Sequence, residues 1–518
     1  MKGFQIQQKG ERRISAALRI MLVVVLLAVQ IGFVVAISYF MQEYLALAYG
    51  VVQVGALFLA VHIYNEPGEL SYKLIWFILL LLAPPVGMIL WFLWGGAAQK
   101  RHLPRNTKRF PDEPESVRMR SEIAVDKLTR QLPAWSRTAN YLCRRDFQLY
   151  QNTSVTYLPE GAILLRNLID RAAKAERFIF LEYFILAEGK LWDELEKILC
   201  AKAREGVEVK IIFDDFGNIK RFSGETIDRL REVGVEVFIF NPVHEYVNRL
   251  HFNYRDHRKI ACIDGDVAYT GGVNIADEYA NIIERFGYWK DSTVRLTGDG
   301  AWGFAVQFMQ MWKMLGRHFP NEDDYYRSRR EGPAVEGFCQ PFEDGPLNNP
   351  DNPVEAVYLQ LIASAKRMLY ITTPYYAVEE SIQEALCIAA DAGVDVRLMI
   401  PAIPDKKLVY LVAETYWGDL LRHGVKIYKY TPGFVHAKSV MADREAALIG
   451  STNMDYRSFQ LHYEDAVMLY HMPVIEELLE DMDHIVEDSQ LYTLEDWENR
   501  PWLRRMTASI LKLGAIWL

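Results

Sequence analysis

Two segments of the chain repeat one pattern of residues that could act on a phosphate ester. Each segment reads HxKx4Dx6GxxN, starting at His257 in one and at His436 in the other. Because side chains two positions apart on a strand point to the same face, each histidine would lie beside its lysine. An imidazole is a good nucleophile near neutral pH, and an ammonium group can neutralise a phosphate oxygen as negative charge builds there. The pattern therefore predicts two half-sites for attack on a phosphodiester.

Two histidines can divide the proton transfers of such a reaction between them. One imidazole can attack phosphorus while the other, in its protonated form, donates a proton to the leaving alcohol. The residues that the two segments supply are His257, Lys259, Asp264, His436, Lys438 and Asp443. We expect the two aspartates to have a structural role rather than a direct chemical one. Neither segment holds a second histidine or a compact carboxylate cluster, so no metal ion is expected at the site.

The elements that must position these residues also occur twice. "AERFIFLEYF" (175–184) and "AKRMLYITTPYY" (365–376) are strand-like runs, rich in β-branched and aromatic residues. Each is followed by a helical stretch and then by a second strand-like run, "EGVEVKIIFDD" (205–215) or "AGVDVRLMIP" (392–401). Strands that alternate with helices predict an α/β fold, here built from two similar halves.

Composition divides the chain around these halves. A stretch dense in Pro, Gly, Asn and Asp, which is typical of a linker, separates the two halves. The predicted organisation is a membrane anchor at 1–95, a connector at 96–135, a first lobe at 136–340, the linker at 341–353 and a second lobe at 354–518.

Three apolar runs make up the predicted anchor. Ile20–Phe40 and Leu74–Trp94 each have 21 residues, which is about 31 Å of helix and enough to cross a bilayer. The run between them, Leu45–Tyr64, is less apolar. The basic flanks at 1–19 and 96–110 both favour the cytoplasm, which requires an even number of crossings, whereas three runs offer an odd number. We therefore expect two or three transmembrane helices and a catalytic region on the cytoplasmic side.

Charge and cysteine content narrow the class of protein. The chain has a formal charge of −9 although its N-terminal flanks are basic, so the globular part is strongly acidic. Such a surface is poorly suited to a nucleic acid, because nucleic-acid binding depends mostly on neutralising phosphates. The five cysteines are far apart and form no CxxC pair, which indicates free thiols in a reducing compartment rather than a disulfide framework or a zinc site.

Both repeated segments resemble the HKD motifs of the phospholipase D superfamily. The longer strings at 251–279 and 435–464 resemble those of bacterial cardiolipin synthases, and "NMDYRSF" (453–459) is the most distinctive part. The apolar run at 72–95 is similar to the N-terminal membrane segment of that family. One departure is His462, where the family usually has asparagine, and we expect it to have a local effect at most.

The resemblance implies two lobes related by a pseudo-twofold axis, both motifs in one site and a phosphohistidine intermediate. It implies that Asp291 and Glu464 are carboxylates that orient the histidines, and it favours His257 as the nucleophile. It also implies a phosphate pocket lined by Gly272, Asn274, Ser451 and Asn453. No cofactor is implied.

The function that this resemblance implies is the transfer of a phosphatidyl group from one phosphatidylglycerol to another, which yields cardiolipin and glycerol. A hydrolytic phospholipase D, in which water accepts the group, is the first alternative, and a membrane-tethered nuclease is the second. The expected partners are the phospholipid substrate and the bilayer of a bacterial cell membrane, without nucleic acid. The oligomeric state remains open.

The C-terminal residues 502–518 have the pattern of an amphipathic helix. Apolar residues recur at spacings of three and four from Leu503, and the charged residues of the segment are all basic. Such a helix either packs on the second lobe or lies on an anionic membrane surface.

Overall fold

The computed structural model describes residues 45–66, 70–95, 114–242, 254–319, 322–326, 335–346 and 351–515, with a few isolated positions between 25 and 35. Its contacts group into two compact units, one of residues 1–103 with 242–252 and the other of 104–241 with 253–518. The predicted apolar run Ile20–Phe40 lies outside the described residues except at those isolated positions.

The described part of the anchor consists of three helices, α1 (Leu45–Asn65), α2 (Leu70–Leu82) and α3 (Pro84–Trp94). Within α1, Leu47–Asn65 is long and apolar enough to cross a membrane, with a mean hydropathy of 1.7. It is the one helix of that length and composition in the described residues.

The prediction of one continuous helix over Leu74–Trp94 is wrong, because the helix is interrupted at Ala83. A residue that precedes proline is disfavoured in the helical region, and Ala83 accordingly has φ −146° before Pro84. The helices α2 and α3 then fold back on each other, since the rings of Trp76 and Trp91 lie 5.1 Å apart edge to face. Gly87 permits this close approach, because a Cβ atom there would lie 2.9 Å from the backbone of α2.

Helices also occupy part of the predicted connector. The helix α4 (Glu115–Gln131) lies within it, and α5 (Pro133–Cys143) begins at its end. Trp135 of α5 is fully buried, and its indole N–H donates to Glu445 in the second half of the chain. The helix α5 therefore contacts the lobe that is more distant in sequence, whereas Arg120 of α4 pairs with Asp299 of the first half.

The first half forms a seven-stranded sheet with the strand order β1-β9-β7-β6-β2-β3-β4. Its strands are β1 (Thr153–Leu158), β2 (Phe178–Tyr183), β3 (Glu208–Asp214), β4 (Glu236–Phe240), β5 (Arg255–Asp256), β6 (Lys259–Ile263), β7 (Val267–Gly271), β8 (Tyr288–Lys290) and β9 (Thr293–Gly298), of which β5 and β8 pair elsewhere. Its helices are α6 (Gly161–Ala172), α7 (Lys190–Arg204), α8 (Asp215–Asn218), α9 (Gly224–Glu232) and α10 (Ala301–Met314), with 3-10 turns at Asp277–Ala280 and Glu322–Tyr325.

The second half repeats this order as β10-β19-β17-β16-β11-β13-β14 and adds β20 at one edge. Its strands are β10 (Phe338–Asp344), β11 (Met368–Thr372), β12 (Tyr376–Ala377), β13 (Asp395–Pro401), β14 (Lys426–Tyr430), β15 (Gly433–Val435), β16 (Ser439–Ala442), β17 (Ala446–Gly450), β18 (Met454–Asp455), β19 (His462–Tyr470) and β20 (Ser489–Tyr492). Its helices are α11 (Pro353–Ser364), α12 (Glu380–Asp391), α13 (Lys407–Arg422), α14 (Tyr456–Gln460), α15 (Val474–Glu487), α16 (Leu494–Glu498) and α17 (Trp502–Lys512).

The prediction of an α/β fold with two equivalent lobes is confirmed by this matching strand order. Three parallel strands in each sheet, β2-β3-β4 and β11-β13-β14, alternate with helices. The other strands of each order pair antiparallel. The helix α10 is buried along nearly its whole length, in a core to which both halves contribute.

The first four residues of the predicted linker 341–353 are in fact part of β10. This strand pairs with β19 along its whole length, from Phe338 opposite Tyr470 to Asp344 opposite Glu464. Long-range strand pairing outweighs the local turn composition there, since the edge strand that tolerates Pro341 also gains a complete antiparallel ladder.

Candidate active site

Each half of the chain contributes a strand that extends the other half, at the point where a motif histidine begins. In the first half, β5 pairs with β19, and the backbone N–H of His257 then donates to Tyr463 O at 2.9 Å. In the second half, β15 pairs with β8, and the N–H of His436 donates to Lys290 O at 2.7 Å. Both pairings are parallel. If each register is continued, His257 lies opposite Glu464 and His436 lies opposite Asp291.

This crossing brings each histidine against a carboxylate from the opposite half. The Nδ1 atom of His257 lies 3.0 Å from both carboxylate oxygens of Glu464. The Nδ1 atom of His436 lies 2.8 Å from Oδ2 of Asp291. A carboxylate on Nδ1 holds the ring orientation and leaves Nε2 as the nitrogen available for reaction. Asp291 and Glu464 are both completely buried.

Asp291 is held by donors from its own half. The indole N–H of Trp289 donates to Oδ2 at 3.3 Å, and the backbone N–H of Ser292 donates to Oδ1 at 2.9 Å. Burial alone would raise the pKa of Asp291, but the charges of His436 and Lys438 outweigh it and hold that pKa below its usual value. The carboxylate is therefore ionised at neutral pH.

Glu464 is held differently. The hydroxyl of Ser451 donates to one carboxylate oxygen. The Nδ1 atom of His462 lies 3.4 Å from the other, and the imidazole ring of His462 is 5.3 Å from that of His257. Because His462 precedes Glu464 by two residues on β19, both side chains point to one face of the strand. The carboxylate of Glu464 thus lies between two imidazole rings and is closer to that of His257.

The motif lysines lie beneath their histidines. The ammonium group of Lys259 donates to the carbonyl of His257, and that of Lys438 donates to the carbonyl of His436. Burial lowers the pKa of Lys259 to about 8 and that of Lys438 to about 7, against the opposing pull of the nearby carboxylates. An anionic ligand beside these ammonium groups would raise both pKa values, because it would favour the charged forms of the lysines.

Both motif histidines are neutral at pH 7 in the unliganded site. Burial, together with the ammonium groups of Lys259 and Lys438, lowers the pKa of His257 well below its usual value. Burial and Lys438 lower the pKa of His436 to about 4, although Asp291 opposes the shift. A neutral imidazole is the form that can attack phosphorus.

The motif aspartates lie away from the histidines. The carboxylate of Asp264 accepts hydrogen bonds from the backbone N–H groups of residues 176–178, and that of Asp443 accepts them from residues 366–368. Each aspartate thus fixes the start of the strand that neighbours its own motif strand, β2 or β11. This is a structural arrangement, and neither carboxylate lines the cavity that holds the histidines.

The four residues expected in a phosphate pocket separate into two pairs. Asn274 and Asn453 line the cavity, and Oδ1 of Asn453 has no hydrogen-bond partner among the described residues. Gly272 and Ser451 instead lie behind the histidines, in contact with the carboxylates. A Cβ atom at Gly272 would lie 2.0 Å from Oδ1 of Asp291, so only glycine leaves room for that carboxylate.

One cavity of about 440 Å³ contains both histidines. Side chains of both halves form its walls, and aromatic rings contact the imidazoles, with Phe184 5.1 Å from His257 and Trp289 5.1 Å from His436. The cavity is also lined by five basic side chains, Arg221, Arg255, Arg285, Lys406 and Arg457, and by three acidic ones, Glu278, Asp405 and Asp455. The cavity is therefore suited to an anionic ligand with an apolar part.

Sequence reasoning missed the position of His462, although its spacing from Glu464 was a usable signal. Neither motif segment itself holds a second histidine, but the fold brings His462 to the first motif, where His257, His462 and Glu464 each offer a ligand atom within 4.8 Å of the others. Burial lowers the pKa of His462 to about 3, so this ring is neutral near pH 7. Such a group could hold a metal ion.

Two family models match the chain. The model described as "Cardiolipin synthase, PLD-like domain" matches residues 165–283 and 358–486, which are the two halves that carry the histidines. The model described as "Phospholipase_D-nuclease N-terminal" matches residues 54–96, which include most of the anchor helices.

Curated relatives cover most of the chain. A protein named cardiolipin synthase from Geobacillus kaustophilus is 33% identical over 88% of this chain and 91% of its own. The major cardiolipin synthase ClsA of Bacillus subtilis is 31% identical over 87% of this chain and 94% of its own. The crystal structure of a phosphatidylserine synthase from Haemophilus influenzae has the same fold, with a TM-score of 0.58 at 14% identity over 74% of this chain and 100% of that one. The chain belongs to the cardiolipin synthase family of phospholipase D-like proteins.

Proposed function

We propose that the chain is a cardiolipin synthase, which transfers a phosphatidyl group from one phosphatidylglycerol to the free hydroxyl of a second. The observation that carries this proposal is the pair of neutral imidazoles, each with a lysine and a carboxylate, in one cavity formed by both halves. The relatives named cardiolipin synthase supply the identity of the acceptor.

In the first step, Nε2 of one histidine attacks phosphorus, and the bond from phosphorus to the glycerol oxygen breaks. The other histidine, protonated once the anionic lipid is bound, gives its proton to that oxygen, so glycerol leaves. Lys259 and Lys438 neutralise the charge that builds on the phosphate oxygens. The product of this step is a phosphatidyl-histidine. We assign the attack to His257, following the family resemblance.

In the second step, the hydroxyl of another phosphatidylglycerol attacks the same phosphorus and the phosphorus–nitrogen bond breaks. The second histidine, neutral after the first step, accepts the hydroxyl proton. Cardiolipin leaves and both imidazoles return to their initial state. The reaction needs no redox partner, because only phosphate ester bonds are exchanged.

The same site chemistry would serve a hydrolase if water replaced the lipid acceptor. We favour transfer because apolar and aromatic residues line much of the cavity, among them Phe216, Phe286 and Val409. A nuclease is disfavoured by the acidic charge of the globular part.

The decisive experiment is to incubate the purified protein with phosphatidylglycerol labelled in its head group and to identify the products. Cardiolipin together with one equivalent of free glycerol supports the proposal. Phosphatidic acid as the main lipid product selects the hydrolase. The nuclease is selected if no lipid product forms and a separate incubation with DNA releases nucleotides. The variant His423→Ala, at an exposed histidine paired with Asp391, serves as the matched control for histidine substitutions.

We also infer that the protein crosses the membrane twice and places both basic flanks in the cytoplasm. Helices α2 and α3 have 13 and 11 residues, or about 20 Å and 16 Å, against about 30 Å of hydrocarbon. Because they fold back at Ala83, the pair can enter the membrane and return to the same side. The run Ile20–Phe40 and α1 then supply two crossings, which agrees with the positive-inside rule at 1–19 and 96–110.

This topology can be tested with single cysteines at Gln42 and Gly68 and a membrane-impermeant maleimide on intact spheroplasts. Gln42→Cys is expected to react from outside, and Gly68→Cys only after permeabilisation. The native cysteines all lie at position 143 or later and control for leakage. Reaction of Gly68→Cys in intact spheroplasts would show that α2 and α3 cross the membrane together.

A further inference from the structure

Several exposed apolar side chains are close in sequence to residues that line the cavity. In two loops and in the segment that ends in the first turn of α13, these side chains lie within three residues of a residue that lines the cavity. They are Ile219, Ile282, Ile283, Ile403 and Leu408. Both halves of the chain contribute, and isolated exposed apolar residues are common on soluble proteins, but a cluster around a site indicates an interaction surface.

The C-terminal helix α17 continues this surface. Its polar face is the one that packs on the protein, since Arg504 pairs with the buried Glu414 of α13 at 2.8 Å and Ala508 is fully buried. Lys512, four residues further on, lies over the ring of Tyr416. The face at Leu503, Met506, Ile510 and Leu513 is 46–61% exposed. Shortly after α17 ends, Ala515 lines the cavity.

The helix is therefore oriented opposite to the usual arrangement, in which the apolar face of an amphipathic helix packs on the core. Of the two arrangements open from the sequence, the helix does pack on the second lobe, but through the face of Arg504 and Ala508, which leaves the apolar face outward. We name Ile219, Ile282, Ile283, Ile403 and Leu408, together with the exposed face of α17, the apolar rim.

Basic side chains are interspersed with the apolar rim. Exposed cations at the same loops and on the same helix are Lys220, Arg285, Lys406, Lys407 and Arg505. Glu284 is the exposed acidic residue between Ile283 and Arg285. A surface with apolar side chains between cations matches the interface of an anionic bilayer, where the former insert among acyl chains and the latter meet head-group phosphates.

We propose that the apolar rim docks on the surface of an anionic phospholipid bilayer and holds the mouth of the cavity at the level of the lipid head groups. This inference rests on the proposed function to the extent that the substrate is a membrane lipid. A docked rim would let a phosphatidylglycerol head group enter the cavity while its acyl chains stay in the bilayer. The lipid then need not cross water between membrane and site.

Docking can be measured with an environment-sensitive fluorophore on single cysteines, in full-length protein reconstituted into vesicles of phosphatidylcholine and phosphatidylglycerol at a ratio of 3:1. Leu503→Cys reports on the rim. Ile123→Cys on α4 is the matched control, because Ile123 is an apolar residue of similar exposure. It lies near Asp299, which follows the C-terminal end of β9, whereas Asp291 of the active site precedes the N-terminal end of that strand. Cys143 and Cys200, which are only partly buried, are replaced by serine in both proteins.

Lipids that carry a quencher in the acyl chain are expected to quench the fluorophore at Leu503 several-fold more strongly than at Ile123. Equal quenching at both positions, or none at Leu503, would overturn the proposal. A fluorophore at Leu503 that is shielded from water but not quenched by lipid would show that a protein, such as a second copy of the chain, covers the rim.

Activity gives an independent measurement. Ile510→Glu is expected to lower the rate on vesicle phosphatidylglycerol at least fivefold and to leave the rate on a soluble short-chain phosphatidylglycerol unchanged. Ile123→Glu should change neither rate. An equal loss of Ile510→Glu on both substrates would contradict docking. Absence of product with every protein, including the unsubstituted one, would count against the proposed function, while the quenching experiment would still decide on docking.

Discussion

The two half-sites share one geometry but hold their carboxylates with different groups. In the half-site of His436, Asp291 is flanked by Trp289 and by Gly272. In the half-site of His257, the equivalent positions around Glu464 hold His462 and Ser451. The strand registers establish the equivalence, because Trp289 lies two residues before Asp291 as His462 lies two residues before Glu464.

The difference teaches that the orientation of the imidazole is constrained more tightly than the groups that impose it. The shorter aspartate reaches its histidine only because Gly272 leaves space, and its second oxygen accepts from a backbone N–H. The longer glutamate leaves room for Ser451, whose hydroxyl takes over that role. Among the described residues, the His257 half-site is the one with a second imidazole close to its motif histidine.

The largest expected effect is the loss of either motif histidine. His257→Ala and His436→Ala should each lower kcat by a factor on the order of 10³ or more, because residues that act as one catalytic unit show non-additive losses. The double variant should be little worse than either single one. Steady-state rates on phosphatidylglycerol measure this, with His423→Ala as control. Substantial activity in either single variant would contradict the two-histidine mechanism and with it the equivalence of the half-sites.

The supports of the two carboxylates should respond unequally. Gly272→Ala places a Cβ atom 2.0 Å from Asp291 and should lower kcat/KM by roughly 100-fold through misplacement of His436. Ser451→Gly makes the second half-site resemble the first and removes the hydroxyl that donates to Glu464, which corresponds to about 1.5 kcal/mol or roughly tenfold. Circular dichroism would verify that both variants fold. An equal or reversed order of the two losses would show that the supports are interchangeable.

The pH profile should reflect the motif lysines. Lys438 and Lys259, with pKa values of about 7 and about 8, bind a phosphate only in their charged forms, which are present below those values. The kcat/KM should therefore fall as pH rises through 7 to 8, and fall again in acid when the attacking histidine becomes protonated. Lys438→Arg should move the alkaline limb to higher pH, whereas Lys426→Arg at the surface should not. A profile without an alkaline limb would show that the lysines are not needed in their charged forms.

The smallest effect concerns His462. His462→Asn restores the residue usual in the family and should change kcat less than threefold. Chelators should leave activity intact, while micromolar Zn²⁺ should inhibit the unsubstituted protein by occupying His257, His462 and Glu464, a set of ligands typical of zinc. The inhibition constant should rise at least tenfold in His462→Asn. Equal inhibition of both proteins would place the zinc elsewhere.

Much of the fold could be predicted because the repeat can be recognised from residue patterns that are local in the sequence. The alternation of β-branched runs with helical stretches indicated two α/β halves, and the spacing of His257 and Lys259 placed both side chains on one strand face. The predictions were wrong where contacts between segments distant in sequence determine the local structure. Part of β10 forms in a stretch whose composition is typical of a linker. It forms there because β19, more than a hundred residues later, pairs with it through backbone hydrogen bonds. The break at Ala83 depends on packing as well, since Trp76 and Trp91 stabilise the folded-back pair.

By itself, the sequence determined the chemistry of this protein: two histidines, two lysines, an acidic globular part and an apolar start. These properties follow from residue identity and from spacings of a few residues, which backbone geometry translates directly into positions on a strand or helix face. Only the tertiary structure decided which carboxylate meets which histidine, because β5 with β19 and β15 with β8 pair across the two halves. It also decided that α17 turns its apolar face outward, since the buried Glu414 binds Arg504 on the opposite face. Such choices depend on contacts between segments far apart in the chain, which local periodicity does not contain.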